Sequence, residues 1–427
     1  MKTSLLSLCF AALALGACGS PVNDRETVET EASYTIEQGS VETGIEVLKD
    51  NHFDILKGKR VGLITNPTGV DAQLKSTIDI LNEAEGVTLA ALFAPEHGVR
   101  GDYVAGATVK SNVDAKTGVK VYSLYGSSHK PSQEMLKGLD VLVYDIQDIG
   151  CRSFTFISTM GLAMQAAAQA GIEFVVLDRP NPLGGERVEG PGVDADCFSF
   201  VSQFDIPYVY GLTPGELASY FVGEGIVPSS LKLTVVPLSG WSRDMTYDAT
   251  GLPWVLPSPH IPQPVTALFY PATGIMGELE YVNIGVGYTL PFQLATAPWI
   301  DGHKLCDAMR EAKVPGMEWR PVFYKPFYSQ FKGEAVSGVQ PYFADPDKAV
   351  ISLTQFYIME QLARLYPVHK PFASASQTRL AMFDKVCGSK KIRQAFSKNY
   401  RVADIYDLWM GGCDAFREKT RKYRLYE

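Results

Sequence analysis

The stretch VLVYDIQDIGCR, residues 141–152, decides the fold. Val141 to Tyr144 is apolar throughout and closes on Asp145, the composition of a strand buried on both faces rather than one alternating between core and water. The residues that follow, Ile146 to Arg152, mix carboxylates, an amide, a glycine and a guanidinium, as a loop at the carboxyl end of a strand does. Next, Ser158 to Ala170 (STMGLAMQAAAQA) is built of strong helix formers and stops at Gly171, a natural residue for a left-handed helix end. A second apolar run, Phe174 to Leu177, comes after it. Strand, loop, helix and strand in that order make a βαβ unit, and hence a parallel sheet.

Arg60 to Thr65 and Thr88 to Phe93 have the same strand texture on the N-terminal side. On the C-terminal side Thr213 is placed to cap a helix beginning with Pro214 and Gly215-Glu216-Leu217-Ala218. The texture changes near Leu252, where Pro253, Pro257, Pro259, Pro262, Pro264 and Pro271 punctuate a stretch expected to be extended and free of helix. Beyond it, Met317 to Phe343 reads as aromatic strands, Ser352 to Leu365 as an amphipathic helix and Ala403 to Arg424 as another. The expected class is α/β: a parallel-sheet domain over residues 45–250 and a smaller α+β auxiliary domain over 251–427, with the Pro-rich segment at the seam.

At the N-terminus, Met1 and Lys2 precede an apolar run from Leu5 to Leu15 and then Leu15-Gly16-Ala17-Cys18. This reads as a secretion signal over residues 1–17, ending in a lipobox that makes Cys18 the lipidation site. An ordinary signal peptide with an incidental cysteine is the alternative. Residues 18–44 read as a flexible tether. Gly19, with no Asp after the Cys, points to the periplasmic face of the outer membrane, with a lipid anchor on Cys18 as the membrane contact.

The formal charge of −8, from 39 basic and 47 acidic residues that are interspersed, argues against a nucleic-acid partner. The cysteines after Cys18 (Cys151, Cys197, Cys306, Cys387 and Cys413) are odd in number and lack CxxC spacing, so no disulfide framework is indicated, although one or two bridges would suit the periplasm. The histidines are scattered without HExxH, so no metal is expected, and the absence of a Walker loop or GxGxxG argues against a nucleotide cofactor. GxSxG is missing as well. Cys151 has no accompanying acidic-histidine pattern and reads as a small buried residue.

In open parallel sheets the ligand crevice lies beyond the carboxyl ends of the strands. Here those ends carry Asn66, then Glu96 and His97, then Asp145, Gln147, Asp148 and Arg152, then Asp178 and Asn181. Carboxylates and amides with a few cations suit a polyhydroxylated substrate and acid/base work. Each has a blander reading. Glu96 also fits as a helix N-terminal carboxylate, and His97 as a residue that merely orients it. Asp145 or Asp148 also fits as a structural partner of Arg152 or Arg179, and Asp178 as a turn residue satisfying backbone N–H groups.

Several strings together resemble the NamZ-type exo-β-N-acetylmuramidases, formerly a domain-of-unknown-function family. They are KRVGLITNPTG (59–69), FAPEHGVRG (93–101), YDIQDIG (144–150), LDRPNPLGG (177–185), VEGP (188–191) and YGLTPGE (210–216). The likeness continues through Pro257-Ser258-Pro259 and Tyr270-Pro271 to Ala297-Pro298-Trp299-Ile300 and covers most of the mature chain. The resemblance implies a Rossmann-like domain with a smaller auxiliary domain and an active site in the cleft between them. It also implies an exo-acting glycoside hydrolase, without metal or nucleotide, that removes N-acetylmuramic acid from non-reducing ends of peptidoglycan fragments. The family's catalytic glutamate matches Glu96, which becomes the general acid, with Asp145 as its partner or as a sugar ligand. Arg152 is expected to receive the lactyl carboxylate of muramic acid. Asn66, His97, Gln147, Asp148, Asp178, Asn181, Tyr210 and His260 complete the expected substrate-binding set.

The chain departs from the family pattern in two places. It has His260 where many members have Asn after Pro-Ser-Pro, and Gly285-Val286-Gly287-Tyr288 where they have Gly-Arg-Gly-Thr. The second change removes a cation from the auxiliary side of the cleft and leaves a related amino sugar open as substrate. Two rival readings differ in class. One is a non-catalytic, glycan-binding envelope lipoprotein, and the other a deacylase or esterase using Cys151 or a serine.

Overall fold

The computed structural model describes residues 41–101, 111–126 and 128–427. The expected signal peptide, Cys18 and most of the expected tether lie outside them. Of the residues expected in the tether, Val41 is buried, Glu42 bridges to Ser239, and Thr43 forms a capping box with Glu46 at the start of helix α1 (Gly44–Asp50).

The first sheet contains β1 (Arg60–Thr65), β2 (Thr88–Ala94), β3 (Asn112–Val113), β4 (Lys120–Ser123), β5 (Val141–Asp145), β6 (Glu173–Leu177) and β7 (Leu233–Val236). Their spatial order is β3-β4-β2-β1-β5-β6-β7, and every neighbouring pair is parallel except β3 with β4. The interleaved helices are α2 (Thr77–Glu83), α3 (Gln133–Leu136), α4 (Phe156–Ala170) and α5 (Pro214–Gly223). The apolar run in β5 has a direct physical account. Val141 and Val143 pack into the core shared with α1 and α2, while Leu142 and Tyr144 pack into the core shared with α4 and α5. Both faces of the strand are dry, and each such side chain contributes about 1.5–3 kcal/mol by leaving water. Helix α4 ends at Gly171, whose φ of 68° is the left-handed cap expected of it. Helix α5 opens on the Thr213–Glu216 capping box, with Pro214 in its first turn.

The remainder holds α6 (Pro264–Gly277), β8 (Ala295–Ala297), α7 (Gly302–Glu311), β9 (Met317–Tyr324), β10 (Val336–Phe343) and α8 (Thr354–Leu365). After these come α9 (Gln377–Cys387), α10 (Lys390–Asn399), α11 (Tyr406–Met410) and α12 (Cys413–Thr420). Strands β8, β10 and β9 form a small antiparallel sheet. One core cluster runs from Ile149, Cys151 and Tyr208 of the first part into α6, α8, α9 and α10, so both parts share apolar packing.

Two expectations need correction. The Pro-rich stretch does contain a helix, because Pro264 occupies the first turn, where its missing N–H costs nothing, and Pro271 is accommodated inside α6. There the buried Gln355 amide donates to the Pro271 carbonyl at 2.9 Å and its Oε1 accepts from Met276 N at 3.0 Å, so tertiary partners hold the helix around the proline. The expected helix over 403–424 is broken into α11 and α12 with Gly411-Gly412 between them. The five described cysteines are unpaired and buried. No helix among the described residues is long and apolar enough to cross a membrane.

Candidate active site

Strand β2 delivers its chain end to the turn Pro95-Glu96-His97-Gly98, closed by Gly98 N donating to Pro95 O at 3.1 Å. His97 takes a φ of 72° and Gly98 one of 80°. A left-handed histidine costs local energy, which the surrounding packing must supply, and such strain concentrates where a side chain has to be aimed. Here it aims Glu96, which is half-buried, into a hollow of about 610 Å³, a size suited to a small ligand.

Among the described residues, the side chains of Thr155 and Tyr125 hold the carboxylate. Thr155, the residue just before α4, donates its hydroxyl to Glu96 Oε2 at 3.2 Å. Tyr125 is hydrogen-bonded to Glu96 through its phenol, whose pKa is pushed up by burial and then by the negative charge on Glu96. The floor comes from the loop after β5, through Ser153, Phe154 and Thr155. The Ser153 hydroxyl is 3.2 Å from the phenol of Tyr270 on α6, which also faces the hollow. The opposite wall is made by Ser258 and His260, then Glu278, Glu280 and Val286, with Arg379 from α9. His260 Nε2 lies 3.0 Å from the Tyr328 hydroxyl, and burial, followed by the charge on His97, pushes its imidazole pKa down.

Of the residues expected at the site, Glu96, His97 and His260 meet around this hollow and the others do not. Asp145 is fully buried. Its Oδ1 accepts from Arg179 Nε at 2.5 Å, and its Oδ2 accepts from Arg179 Nη2 at 3.0 Å and from the Thr77 hydroxyl at 2.5 Å. That carboxylate is fully committed, which corrects the role of catalytic partner or sugar ligand assigned to it. Arg152 is corrected in the same way. It is sealed from solvent and donates to Ser202 Oγ and to the carbonyls of Pro191, Ile206 and Val386. Burial lowers its pKa to about 10. No lactyl carboxylate can reach it.

The remaining strand-end residues are buried and bond to other parts of the chain, although Asn66 Nδ2, Gln147 Oε1 and Asp148 Oδ2 have no partner among the described residues. Asn66 Oδ1 accepts from the backbone and hydroxyl of Thr68, and the Gln147 amide donates to the carbonyls of Asp148 and Pro180. Asp148 accepts from Gly150 N at 2.8 Å and from the Tyr210 hydroxyl at 2.6 Å, and burial raises its pKa to about 7. Asp178 accepts from the Arg179 and Gly215 backbones and from the Thr213 and Tyr426 hydroxyls, while burial raises its pKa to about 6. Asn181 bridges Leu212 O and Leu183 N. Buried polar groups demand partners, and here those partners are other parts of the chain.

The order in which strands are added reverses at β1, whose neighbours are β2 and β5, so the crevice of an open α/β sheet falls between the ends of β1 and β5. The Asp145–Arg179 pair plugs that spot, and the open hollow lies to one side of it, beyond β2 and the β5–α4 loop. Sequence reasoning missed Ser153, Thr155, Tyr270, Glu278, Glu280 and Arg379. Ser153 and Thr155 closely follow Arg152 at the end of the strand-end loop, and Tyr270 precedes Pro271 in a string that resembles the family. No local signal marked Glu278, Glu280 or Arg379. Cys151 is buried, its thiol pushed up to about 12 by burial, which does not suit a nucleophile.

Fold and site together define an α/β protein with the Glu96 carboxyl group, on the turn after β2, at a hollow that residues of its C-terminal part also line. The chain belongs to the exo-β-N-acetylmuramidase NamZ family: residues 61–265 match its N-terminal model and residues 268–426 its C-terminal model. It is 43% identical over 394 residues, 92% of this chain and 93% of the relative, to the peptidoglycan β-N-acetylmuramidase NamZ of Bacillus subtilis. Among solved structures, one DUF1343 family protein from Bacteroides fragilis superposes with a TM-score of 0.88 at 54% identity, covering 91% of this chain and 99% of that one. A second from the same organism gives 0.71 at 28% identity, with the same coverage.

Proposed function

We propose that this protein is an exo-acting glycoside hydrolase that releases N-acetylmuramic acid, or a closely related amino sugar, from non-reducing ends of peptidoglycan fragments. Glu96 is the general acid. The observation that carries this reading is the Glu96 carboxyl group at the wall of the hollow, held by Thr155 and Tyr125, in a chain of the muramidase family.

In this mechanism the sugar enters the hollow and Glu96 protonates the glycosidic oxygen as the bond to the anomeric carbon breaks, while a water molecule supplies the hydroxyl that carbon gains and the proton that restores the Glu96 carboxyl group. Thr155 fixes the carboxyl group on its β5–α4 side. Glu278 and Glu280 are the other carboxyl groups lining the hollow, in place of the buried Asp145. The sheet-bearing part, residues 45–250, supplies the acid, and the part over 251–427 supplies the facing wall.

The same proposal extends to where the enzyme acts: Leu15-Gly16-Ala17-Cys18 supports export, cleavage before Cys18 and lipid anchoring in the periplasm.

The deciding experiment incubates the full chain with a 4-nitrophenyl β-glycoside of N-acetylmuramic acid. Wild type is expected to release nitrophenol, and Glu96→Gln to lower kcat by about 10²–10⁴-fold without a change in thermal midpoint. Binding of the sugar without turnover by wild type would instead identify a non-catalytic glycan receptor.

A further inference from the structure

An N-acetylmuramic acid unit differs from N-acetylglucosamine by a lactyl ether, and so by one carboxylate. Selecting for that carboxylate takes a cation within reach of the sugar, and the two guanidinium groups nearest the sheet crevice do not qualify. Arg152 is buried against three carbonyls and a hydroxyl, and Arg179 is buried against Asp145. Among the described residues lining the hollow, one guanidinium remains, that of Arg379.

Arg379 stands in the first turn of α9, with its backbone N–H on Ser376 Oγ at 3.3 Å. Its Nη2 donates to Glu280, and its Nη1 lies 3.9 Å from Glu278 Oε2. A guanidinium has five N–H donors in a fixed plane, so two acidic neighbours can orient it and leave donors for a ligand. Its side chain remains 40% exposed at the wall of the hollow. Burial pushes the Glu278 carboxyl pKa up, against the lowering effect of the Arg379 charge.

We infer that Arg379 binds the lactyl carboxylate of the substrate and thereby makes the Glu96 site selective for N-acetylmuramic acid over N-acetylglucosamine. The inference rests on the muramidase reading above. A charge-assisted contact of this kind is strong enough to set the preference, and Glu280 acts through Arg379 by holding its plane.

The test compares kcat/KM of the full-length wild type, Arg379→Met and Arg379→Lys on the 4-nitrophenyl β-glycosides of N-acetylmuramic acid and N-acetylglucosamine. Arg379→Met is expected to lower the muramyl-to-glucosaminyl ratio by about 10- to 100-fold, mainly through KM on the muramyl substrate. Arg379→Lys, which keeps the charge and loses the fork, is expected to fall between the two. A ratio unchanged in Arg379→Met overturns the inference, whatever the absolute rates. Should wild type turn over neither glycoside, the hydrolase reading fails and the same ratio is read by calorimetry with the two free sugars. A muramic preference there that Arg379→Met abolishes sustains the role of Arg379, and equal binding of both sugars by wild type overturns it.

Discussion

The Thr155 hydroxyl donates to Glu96 Oε2 at 3.2 Å, linking the turn after β2 to the start of α4. This contact fixes the acid from a neighbouring strand end. Thr155→Val keeps the shape and removes the donor. It is expected to lower kcat about 5- to 10-fold, the effect of one lost hydrogen bond, with thermal stability nearly unchanged. A wild-type kcat in this variant would show that Thr155 does not position Glu96.

Asp145 and Arg179 form a buried ion pair at the topological switch of the sheet. Removing one partner of such a pair leaves a charge without compensation and costs about 3–5 kcal/mol. Asp145→Ala is therefore expected to destabilise strongly in urea unfolding, while the fraction still folded keeps its KM. Loss of activity at unchanged stability would restore the catalytic role that the geometry takes away.

Arg152 ties Ser202 and the carbonyls of Pro191 and Ile206 to Val386, which lies 234 residues beyond Arg152 in sequence. Arg152→Met strips partners from buried acceptors, each worth about 1–3 kcal/mol when left unsatisfied. The expected outcome is a lower urea midpoint with substrate KM retained, the reverse of the pattern for Arg379→Met. A raised KM without destabilisation would return Arg152 to the binding site.

Asp148 carries a folded-state pKa raised by burial from 3.8 to about 7, and Asp178 one raised from 3.8 to about 6. In the window from about pH 4 to about pH 7 the native protein keeps the Asp148 proton that the unfolded chain has lost. The contribution of Asp148 to stability is thus fully present below about pH 4 and is lost as pH rises through about 7, with Asp178 adding in the same direction up to about pH 6. Asp148→Asn retains an acceptor for Tyr210 and Gly150 and cannot titrate. The gap in unfolding free energy between wild type and this variant is expected to move against wild type as pH rises across that window. A gap independent of pH would mean that Asp148 is ionised when folded.

Much of the fold is legible because its signals are local. The run Val141 to Tyr144 is apolar on both sides, Gly171 sits where a left-handed end is needed, and Thr213-Pro214-Gly215-Glu216 spells a helix start. The Pro-rich stretch misled because proline disfavours helix by a local penalty, whereas α6 is held by Gln355, more than eighty residues further along the chain.

At the site, the chain's local pattern already gathers polar residues at the strand ends and puts a carboxyl group, Glu96, on the turn after β2. Which of those residues meet solvent depends on packing between distant segments. Asp145, Asp148, Arg152 and Asp178 look as reactive as Glu96 in the chain, yet they are covered and paired, with Tyr426 and Val386 supplied from the far C-terminal part. Residue type sets what chemistry a side chain can do, while burial by segments distant in sequence sets whether a ligand can reach it.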